Sequence, residues 1–547
     1  MTKQNILLVE PGYRNKYPPL GLMKIAAYHG SRGRGDNVLF VKGHEPEVLG
    51  QVWDRVYVTT LFSFEWKRTS AAIDFALRAA RGQAERVFVG GIAASLMFEE
   101  FLQEPRWAGV RFITGLLDGP PAVSLQLSTE DGDFGADDLG GTPIEEMVPD
   151  YSILEHIQYT YPVRDAYFGY ASRGCIRKCS FCGVPKLEGA QREMPPLAGL
   201  VDGVGKQFGP KKDLILMDNN VVASARYTDV IAEIRDLGFQ RGALFARTGA
   251  PSVKRRVDFN QGVDARILAK TPMYLREMST ICIDPLRIAF DHVGMRRVYE
   301  RSVEMAADYG LKSLSNYMLY NFMDTPSDLY ERMNINIALN QRLGVQIWSF
   351  PMRYLPVTMK DRSHVGKNWN RYYLRSFQIM LQATHGVVSG SNEFFHRAFG
   401  SSYEEFEKLL ALPHAFIFHR DYYENGGGRP VLDEYNALLR RLSSAQRNEL
   451  TELLSGVLQM RPRRDAFLKL ASDKSVCHLI RQLVPFHAID TKAPKVTNVA
   501  QAFPELAPDQ VLPEPEALVE DAGLYEPIDE PLVRDRIPLQ PVGPDGA

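Results

Sequence analysis

The chain has 547 residues, of which 45% are hydrophobic and 24% charged, the composition of an ordinary globular protein with roughly two or three domains. Its formal net charge of -2 gives no electrostatic case for binding nucleic acid or an anionic membrane surface, and no apolar stretch reaches the roughly 20 residues of a membrane helix. The five cysteines, three of them clustered, do not make a disulfide framework, so we expect a reducing, cytoplasmic environment.

Residues 1–130 predict an α/β domain. Short apolar runs that are typical of buried parallel strands are separated by helical segments, one beginning near Pro18-Pro19 and one over 70–81. The strand candidates are 5–9, 37–41, 55–59 and 86–89. Because strands alternate with helices, the pattern predicts a doubly wound parallel sheet.

Residues 131–162 are predicted to form a connector, and residues 163–360 are predicted to form a central partial (β/α)6 barrel. The acidic, glycine-rich run 131–138 lacks the distal glutamate of a calcium-binding loop and is interpreted as a surface turn. In the barrel region, helical segments alternate with strand candidates at 166–170, 214–217, 256–259, 287–290, 317–320 and 346–350. Polar residues directly after such strands are the candidates for chemistry, because the carboxyl ends of the strands carry the active site in barrels of this kind.

A cysteine-rich loop follows the first barrel strand. Cys175, Cys179 and Cys182 have the spacing C-x3-C-x2-C, which brings three thiolates close enough in sequence to converge on one soft metal centre. The spacing is not that of a thiol–disulfide redox pair, and a structural zinc site would need a fourth ligand, which no nearby Cys or His supplies. Three thiolates suit a cubane iron–sulfur cluster with one iron left open, and the alternatives are a structural metal knuckle or an accidental group of cysteines.

This loop, with Phe181 just before the last cysteine, resembles the cluster-binding signature of the radical SAM superfamily. The resemblance implies that Cys175, Cys179 and Cys182 hold a 4Fe–4S cluster and that S-adenosylmethionine chelates the open iron. It also implies an electron donor such as flavodoxin or ferredoxin, whose electron cleaves S-adenosylmethionine to methionine and a 5′-deoxyadenosyl radical that takes a hydrogen atom from an unidentified substrate.

The N-terminal landmarks resemble the cobalamin-binding-type domain of class B radical SAM proteins. Ser172-Arg173-Gly174 before the first cysteine, the helix start Pro18-Pro19-Leu20-Gly21-Leu22 and the strand ending in Gly90-Gly91 are typical of them. The motif Asp-x-His-x-x-Gly, whose imidazole ligates cobalt in that family, is absent. The N-terminal domain therefore has two alternative roles, cobalamin binding or a scaffold. His29 and His44 are interpreted as packing or surface histidines.

Further site candidates follow the later barrel strands. By resemblance, Asp218 and Asn219 fall in the methionine-binding loop, although the usual Gly-Gly-Glu is missing. The ribose contact is expected from Asn260, Gln261 or Arg266. Each of these polar residues also has an alternative as a helix cap or turn residue.

The remaining strand ends offer Asn321 as a further cofactor-binding candidate, together with Asp264, Asp324 and Arg353 as polar groups. His292 is either a general acid/base or a structural histidine. Cys282 lies in an apolar run and is interpreted as a small buried hydrophobe.

Residues 361–490 predict a helical C-terminal domain, including an amphipathic helix over 372–382 and a capping box at Ser443 and Gln446. Residues 491–547, rich in Pro, Glu and Asp, predict a disordered tail.

The sequence thus favours a radical SAM enzyme that acts on an unidentified substrate. A cobalamin-dependent radical SAM methyltransferase is the first alternative, and a non-catalytic iron–sulfur or zinc module is an alternative of another class.

Overall fold

The computed structural model describes residues 3–119, 125, 142–388, 390–492 and 496–504. The acidic loop 131–138 and residues 505–547 of the predicted tail lie outside these residues. The chain forms two compact units, one of Met1–Phe290, Met295–Tyr317 and Leu355–His364, and one of Asp291–Gly294, Met318–Tyr354 and Val365–Ala547. The division into the five predicted regions stays a prediction.

A five-stranded parallel sheet in the order β2-β1-β3-β4-β5 forms the N-terminal part of the first unit. Its strands are β1 (Asn5–Glu10), β2 (Asn37–Lys42), β3 (Arg55–Thr60), β4 (Val87–Gly91) and β5 (Arg111–Phe112). Its helices are α1 (Leu20–His29), α2 (Trp66–Ala79), α3 (Ile92–Leu96) and α4 (Phe98–Leu102). Right-handed crossovers leave the centre of this sheet in opposite directions and so place α1 and α2 on opposite faces, which confirms the predicted doubly wound sheet.

The Gly-Gly end of β4 has a steric cause. Gly91 has φ 104°, and a Cβ atom there would lie 2.3 Å from the carbonyl oxygen of Thr60 on the neighbouring strand. Only glycine allows the chain to turn from β4 into α3 so close to β3.

The central region contains the six predicted strands in two three-stranded sheets, with orders β12-β9-β6 and β13-β14-β15. In chain order, the strands of this region are β6 (Ala166–Gly169), β7 (Ser172–Arg173), β8 (Arg192–Glu193), β9 (Asp213–Leu216), β10 (Leu244–Arg247), β11 (Ala250–Lys254), β12 (Val257–Phe259), β13 (Leu286–Arg287), β14 (Ser313–Tyr320) and β15 (Gln346–Arg353). The pairs β7-β8 and β10-β11 form two further, two-stranded sheets. Isolated parallel bridges at Val257–Ile283 and Val263–Ile288 join the region of β12 to that of β13. The fold is therefore mixed α/β as predicted, whereas a partial (β/α)6 barrel stays a prediction.

Helices connect these strands. They are α5 (Val184–Leu187), α6 (Leu197–Phe208), α7 (Tyr227–Ile234), α8 (Ala265–Lys270), α9 (Met273–Met278), α10 (Arg296–Asp308) and α11 (Pro326–Leu343). Among the described residues, no helix is long and apolar enough to cross a membrane.

The second unit continues as a helical region, which confirms that prediction. Its helices are α12 (Arg371–Ala383), α13 (Asn392–Phe399), α14 (Tyr403–Ala411), α15 (His414–Phe418), α16 (Arg420–Asn425), α17 (Arg429–Arg440), α18 (Ser444–Val457), α19 (Arg463–Ser472), α20 (His478–His487) and α21 (Val499–Ala502). The predicted capping box is present, because Ser443 and Gln446 exchange side chain–backbone hydrogen bonds at the start of α18.

Two buried histidines lie in the core of this helical region. His487 Nδ1 hydrogen-bonds the Tyr372 hydroxyl at 2.6 Å, and the ring of His414 stacks on Tyr372 with centroids 4.7 Å apart. Burial lowers the pKa of His487 to about 3 and also lowers the pKa of His414 far below its usual range. Both imidazoles are therefore neutral in the folded protein at neutral pH.

We expect acid to destabilise this region through His487. In the unfolded chain the His487 imidazole is protonated below pH about 6.5, whereas in the folded chain it stays neutral down to pH about 3. The contribution of His487 to the free energy of unfolding is therefore constant above pH about 6.5. It falls by about 1.4 kcal/mol per pH unit as the pH drops toward 3. His487→Phe should reduce this slope, since Tyr372 keeps its bond to the Leu412 carbonyl. The exposed His478→Gln is the control, and denaturant titrations between pH 4 and 8 provide the measurement. An unchanged slope in His487→Phe would contradict the assignment.

Candidate functional site

The cysteine loop begins directly after β6 and β7. Since β6, β9 and β12 are parallel neighbours, the segments that follow them lie at the same end of the sheet. Gly174 opens the loop with φ 77°, and a Cβ atom there would lie 2.3 Å from the Ala190 carbonyl oxygen. The glycine before the first cysteine is thus required by a close approach of two backbone segments.

The three cysteines are half-buried and held by backbone contacts. The Cys175 Sγ accepts the Arg177 N–H at 3.4 Å, and the Cys182 Sγ accepts the Val184 N–H at 3.4 Å. The Cys182 N–H donates to the Cys179 carbonyl at 3.0 Å. Donation to sulfur stabilises the thiolate, which is the form that binds iron.

Within the described residues, no group of three or more His, Cys, Asp or Glu side chains is arranged to hold a single metal ion, the three cysteines included. A cubane cluster places each thiolate on a different iron, so its ligands do not surround one ion. The all-sulfur donor set and the N–H···S bonds fit an iron–sulfur cluster.

Asp218 anchors the start of the loop. Its carboxylate, 1% exposed, accepts the Ala171 N–H at 3.0 Å and the Ser172 N–H and hydroxyl at 2.5 and 2.7 Å. Burial raises the pKa of Asp218 to about 6, although these hydrogen bonds act in the opposite direction. The side chain predicted to contact the methionine moiety is therefore occupied by the backbone that leads into the cysteines.

A buried ionic network surrounds Arg173. Its guanidinium stacks on the Tyr170 ring at 3.9 Å and pairs with Glu188 at 3.3 Å and with Glu145 at 3.7 Å. Glu145 also pairs with Lys24 of α1 at 3.1 Å. Through these pairs, the residues before the first cysteine are linked to the N-terminal sheet domain.

Glu188 closes the other side of the loop, and no motif in the sequence indicated it. Its Oε2 accepts the Gly174 N–H at 2.8 Å and the Asn219 side-chain amide at 2.9 Å. Asn219 thus supports the cysteine loop through Glu188, and its role as a cofactor contact stays a prediction.

The middle of the loop is tied to the end of β12. Arg177 pairs with Asp264 at 2.8 Å, and Arg266 pairs with the same carboxylate at 2.8 Å. Asp264 also caps α8 by accepting the Arg266 N–H at 2.9 Å. Burial alone would raise the pKa of Asp264, but the hydrogen bonds from Arg266 and Arg177 outweigh it and lower that pKa.

Two more predicted residues follow β12. Asn260 is buried; its Oδ1 accepts the Tyr17 hydroxyl at 2.6 Å, and its carbonyl accepts the Tyr317 hydroxyl at 3.0 Å. Gln261 is exposed at the same strand end. Of the two, Gln261 is the one whose side chain faces solvent.

Asn321 lies in the second compact unit. Its side chain donates to the Tyr354 carbonyl at 3.0 Å and accepts the Gly366 N–H at 2.7 Å. It has φ 67°, a left-handed conformation that Asn tolerates better than most residues. These contacts give Asn321 a structural role in its own unit.

Phe181 is half-buried in the cysteine loop, and the exposed His292 lies in the second unit. Cys282 is half-buried away from the loop, and burial raises the pKa of its thiol to about 11. Cys477 accepts the Gln446 side-chain amide at 3.3 Å, as expected of a structural cysteine.

The end of the loop packs on the N-terminal sheet domain. A Cβ atom on Gly183 would lie 2.9 Å from Leu96 and 3.6 Å from Val357, and Lys186 donates to the Leu96 carbonyl at 2.6 Å. Leu96 ends α3, the helix that follows the Gly-Gly turn. The carboxyl edge of the N-terminal sheet therefore lies next to the cysteine loop.

The N-terminal sheet has its topological switch point between β1 and β3, where ligands bind in folds of this order. Tyr13, Phe62 and Phe64 lie there, with the two phenylalanine rings stacked at 5.1 Å and Phe62 43% exposed. His29 is buried against Asp36 and Tyr57, and His44 is exposed beside Arg78. Both histidines have the packing or surface positions that were predicted.

We expect Asp218→Asn to loosen the cysteine loop. The amide group would place N–H donors against the Ala171 or Ser172 N–H, so the free energy of unfolding should fall by about 1–3 kcal/mol. Anaerobically reconstituted protein should also bind less iron per chain, measured colorimetrically. The exposed Asp229→Asn is the matched control, and equal iron content in the two variants would count against an anchoring role.

A double-mutant cycle on Lys24→Met and Glu145→Gln should show strong coupling. Removing one partner leaves a buried charge, which typically costs about 3–5 kcal/mol, whereas the double variant should cost less than the sum, with a coupling energy of about 1–3 kcal/mol. The exposed Arg429–Asp433 pair is the control and should give about 0.3–0.5 kcal/mol. Coupling no larger than in the control would show that the network does not link the two regions.

No protein-family model and no curated protein matches the chain. Among solved structures, the radical S-adenosylmethionine methyltransferase TsrM from Kitasatospora setae, with cobalamin and a 4Fe–4S cluster bound, is 15% identical over 66% of this chain and 77% of that chain, with a TM-score of 0.44. The same enzyme with tryptophan and a SAM analogue is 15% identical over 70% and 77%, with a TM-score of 0.44. Streptococcus suis SuiB bound to S-adenosylmethionine is 12% identical over 40% and 47%, with a TM-score of 0.28. The identities of these solved structures to the chain are 15% or lower, and their TM-scores are below 0.5.

Proposed function

We propose that the chain is a radical SAM enzyme in which Cys175, Cys179 and Cys182 bind a 4Fe–4S cluster with one iron open to S-adenosylmethionine. The observation that supports it is the C-x3-C-x2-C loop at the carboxyl end of a parallel strand, fixed at its start by Asp218 and at its middle by Arg177. The substrate is unidentified.

When bound, such a cluster supplies the electron that splits S-adenosylmethionine into methionine and a 5′-deoxyadenosyl radical, which removes a hydrogen atom from the substrate. The chain's own residues hold the loop in place through buried contacts, which limits the rearrangement needed when cofactor binds. The electron donor is proposed to be a small redox protein such as flavodoxin or ferredoxin.

The S-adenosylmethionine contacts are proposed from the strand ends beside the loop. Gln261 is exposed at the end of β12, and Arg266 is half-buried next to it. An exposed amide and a guanidinium suit the ribose hydroxyls and the methionine carboxylate, respectively. Asn219 and Asn260 would support the site indirectly, through hydrogen bonds with Glu188 and Tyr17, respectively.

A cobalamin-dependent radical SAM methyltransferase is the second candidate. It is favoured by the order of the N-terminal parallel sheet and by the contact between Leu96 of α3 and Gly183 of the cysteine loop. A ligand at the carboxyl edge of that sheet would lie beside the cluster loop.

Reductive cleavage of S-adenosylmethionine tests the proposal. Protein reconstituted anaerobically with iron and sulfide and reduced with dithionite should form 5′-deoxyadenosine, detected by liquid chromatography and mass spectrometry. Cys179→Ala should reduce the product at least 100-fold, because a cluster ligand is lost, whereas the matched variant Cys282→Ala should retain it. Wild-type protein that forms no 5′-deoxyadenosine would favour a non-catalytic iron–sulfur or zinc module.

The visible absorption spectrum of protein refolded or expressed with cobalamin and freed of unbound ligand separates the two catalytic candidates. Retained cobalamin absorbance in stoichiometric amount supports the methyltransferase. Protein that cleaves S-adenosylmethionine but retains no cobalamin supports the first candidate.

A further inference from the structure

A β-hairpin that the sequence did not predict lies between α7 and β12. Its strands, β10 and β11, pair antiparallel through Leu244–Lys254, Phe245–Val253 and Arg247–Ala250. Thr248 and Gly249 form a two-residue turn, with Gly249 at φ 69° as such turns often require. These two strands make a sheet of their own among the described residues.

The hairpin lies away from the candidate active site. It leads into the amino-terminal end of β12, whereas the cysteine loop follows the carboxyl-terminal end of β6 in the same parallel sheet. The two features therefore lie at opposite ends of these strands.

The base of the hairpin is firmly held. Arg255 donates to the carbonyls of Lys211, Lys212 and Gly238 at 3.0 to 3.2 Å and stacks on the Phe239 ring at 3.6 Å. Arg256 pairs with Asp213 at 2.9 Å. A two-stranded hairpin is marginally stable by itself, so these contacts are what keep it extended from the domain.

The tip and edges of the hairpin are exposed and positively charged. Residues 241–256 contain five basic residues and no acidic one. Beyond the two at the base, Arg241, Arg247 and Lys254 are exposed and make no ion pair with a described residue. Leu244, 61% exposed, lies on β10 opposite Lys254.

The backbone of β10 has a row of groups on its outer side without a partner strand among the described residues. Pro251 removes a backbone donor from β11, whereas β10 contains no proline. Lys254 lies opposite Leu244, the first residue of β10, and Arg247 is its last residue, about 10 Å away along the strand. The register shifts between Phe245 and Arg247, and because side chains alternate along a strand, Arg247 lies on the face of Phe245 and Lys254 on the face of Leu244. A strand added to β10 would thus have an apolar contact at Leu244 and a cation near each end, one on each face.

We propose that β10 binds an extended, acidic segment of a partner protein by strand addition. Backbone hydrogen bonds to β10 would supply affinity, and pairing of acidic side chains with Arg247 and Lys254 would supply selectivity for charge. This interaction surface is separate from the cysteine loop and does not depend on the proposed function.

The probe for a test is a fluorescently labelled eight-residue peptide in which pairs of Glu alternate with pairs of Val, so that both faces of the added strand carry Glu, measured by anisotropy with the full chain. The same peptide with Lys in place of Glu, and one N-methylated at alternate residues, test charge and backbone pairing. Binding of the Glu peptide should weaken about tenfold in Arg247→Glu combined with Lys254→Glu, and with rising salt. Arg297→Glu combined with Arg301→Glu, two exposed positions of α10, is the matched control and should bind as the wild type does.

Three results would overturn the proposal. The first is absence of binding, which would leave the cations as protection of an exposed edge against aggregation. The second is equal binding of the Lys peptide or the N-methylated peptide. The third is preference for a single-stranded oligonucleotide over the Glu peptide. Circular dichroism of both charge-reversed proteins checks that the fold is unchanged.

Discussion

The buried carboxylate of Asp218 accepts hydrogen bonds from two consecutive backbone N–H groups, those of Ala171 and Ser172, and thereby fixes the point from which the cysteine loop departs. Holding a loop in place reduces the rearrangement that its three thiols need in order to bind a single cluster. The start is held by Asp218, the middle by the Arg177–Asp264 pair, and the end by the packing of Gly183 on Leu96. Each of these contacts joins the loop to a different element, so the loop's position depends on the whole first unit.

The N-terminal sheet domain supports the loop by packing and by charge. A Cβ atom on Gly183 would lie 2.9 Å from Leu96, Lys186 donates to the Leu96 carbonyl, and Lys24 reaches Arg173 through Glu145. Gly91 contributes to this support, because only glycine allows β4 to turn directly into α3, the helix that ends at Leu96. Support of the cysteine loop is thus a role that this domain has whether or not it also binds a cofactor.

Apolar runs predicted the strands well, since a buried parallel strand must be apolar on both faces: β1, β2, β3 and β9 lie within about one residue of the expected bounds. The capping box at Ser443 was also predictable, because Ser443 and Gln446 are a local signal. The hairpin was not predicted, because its exposed strands have no buried face and therefore no clear alternation of apolar and polar residues.

The sequence predicted which candidate residues follow the strands, but not the contacts of their side chains. Asp218, Asn219 and Asn260 follow strands as expected, yet their side chains support the loop or the adjoining backbone, which depends on distances that the sequence does not encode locally. Glu188 had no signal at all, because its partners come from two separate segments, Arg173 and Gly174 before the first cysteine and Asn219 after β9. Asn321 belongs to the second unit, where a left-handed backbone and two hydrogen bonds account for it.

The proposed cluster has three thiolate ligands and one iron open to S-adenosylmethionine, which electron paramagnetic resonance of the reconstituted, dithionite-reduced protein can detect. We expect the signal of a reduced 4Fe–4S cluster whose g values change when S-adenosylmethionine is added, and the loss of that signal when Cys175, Cys179 and Cys182 are all replaced by Ala. A cluster signal that S-adenosylmethionine leaves unchanged, or that persists without the three cysteines, would contradict the proposed site.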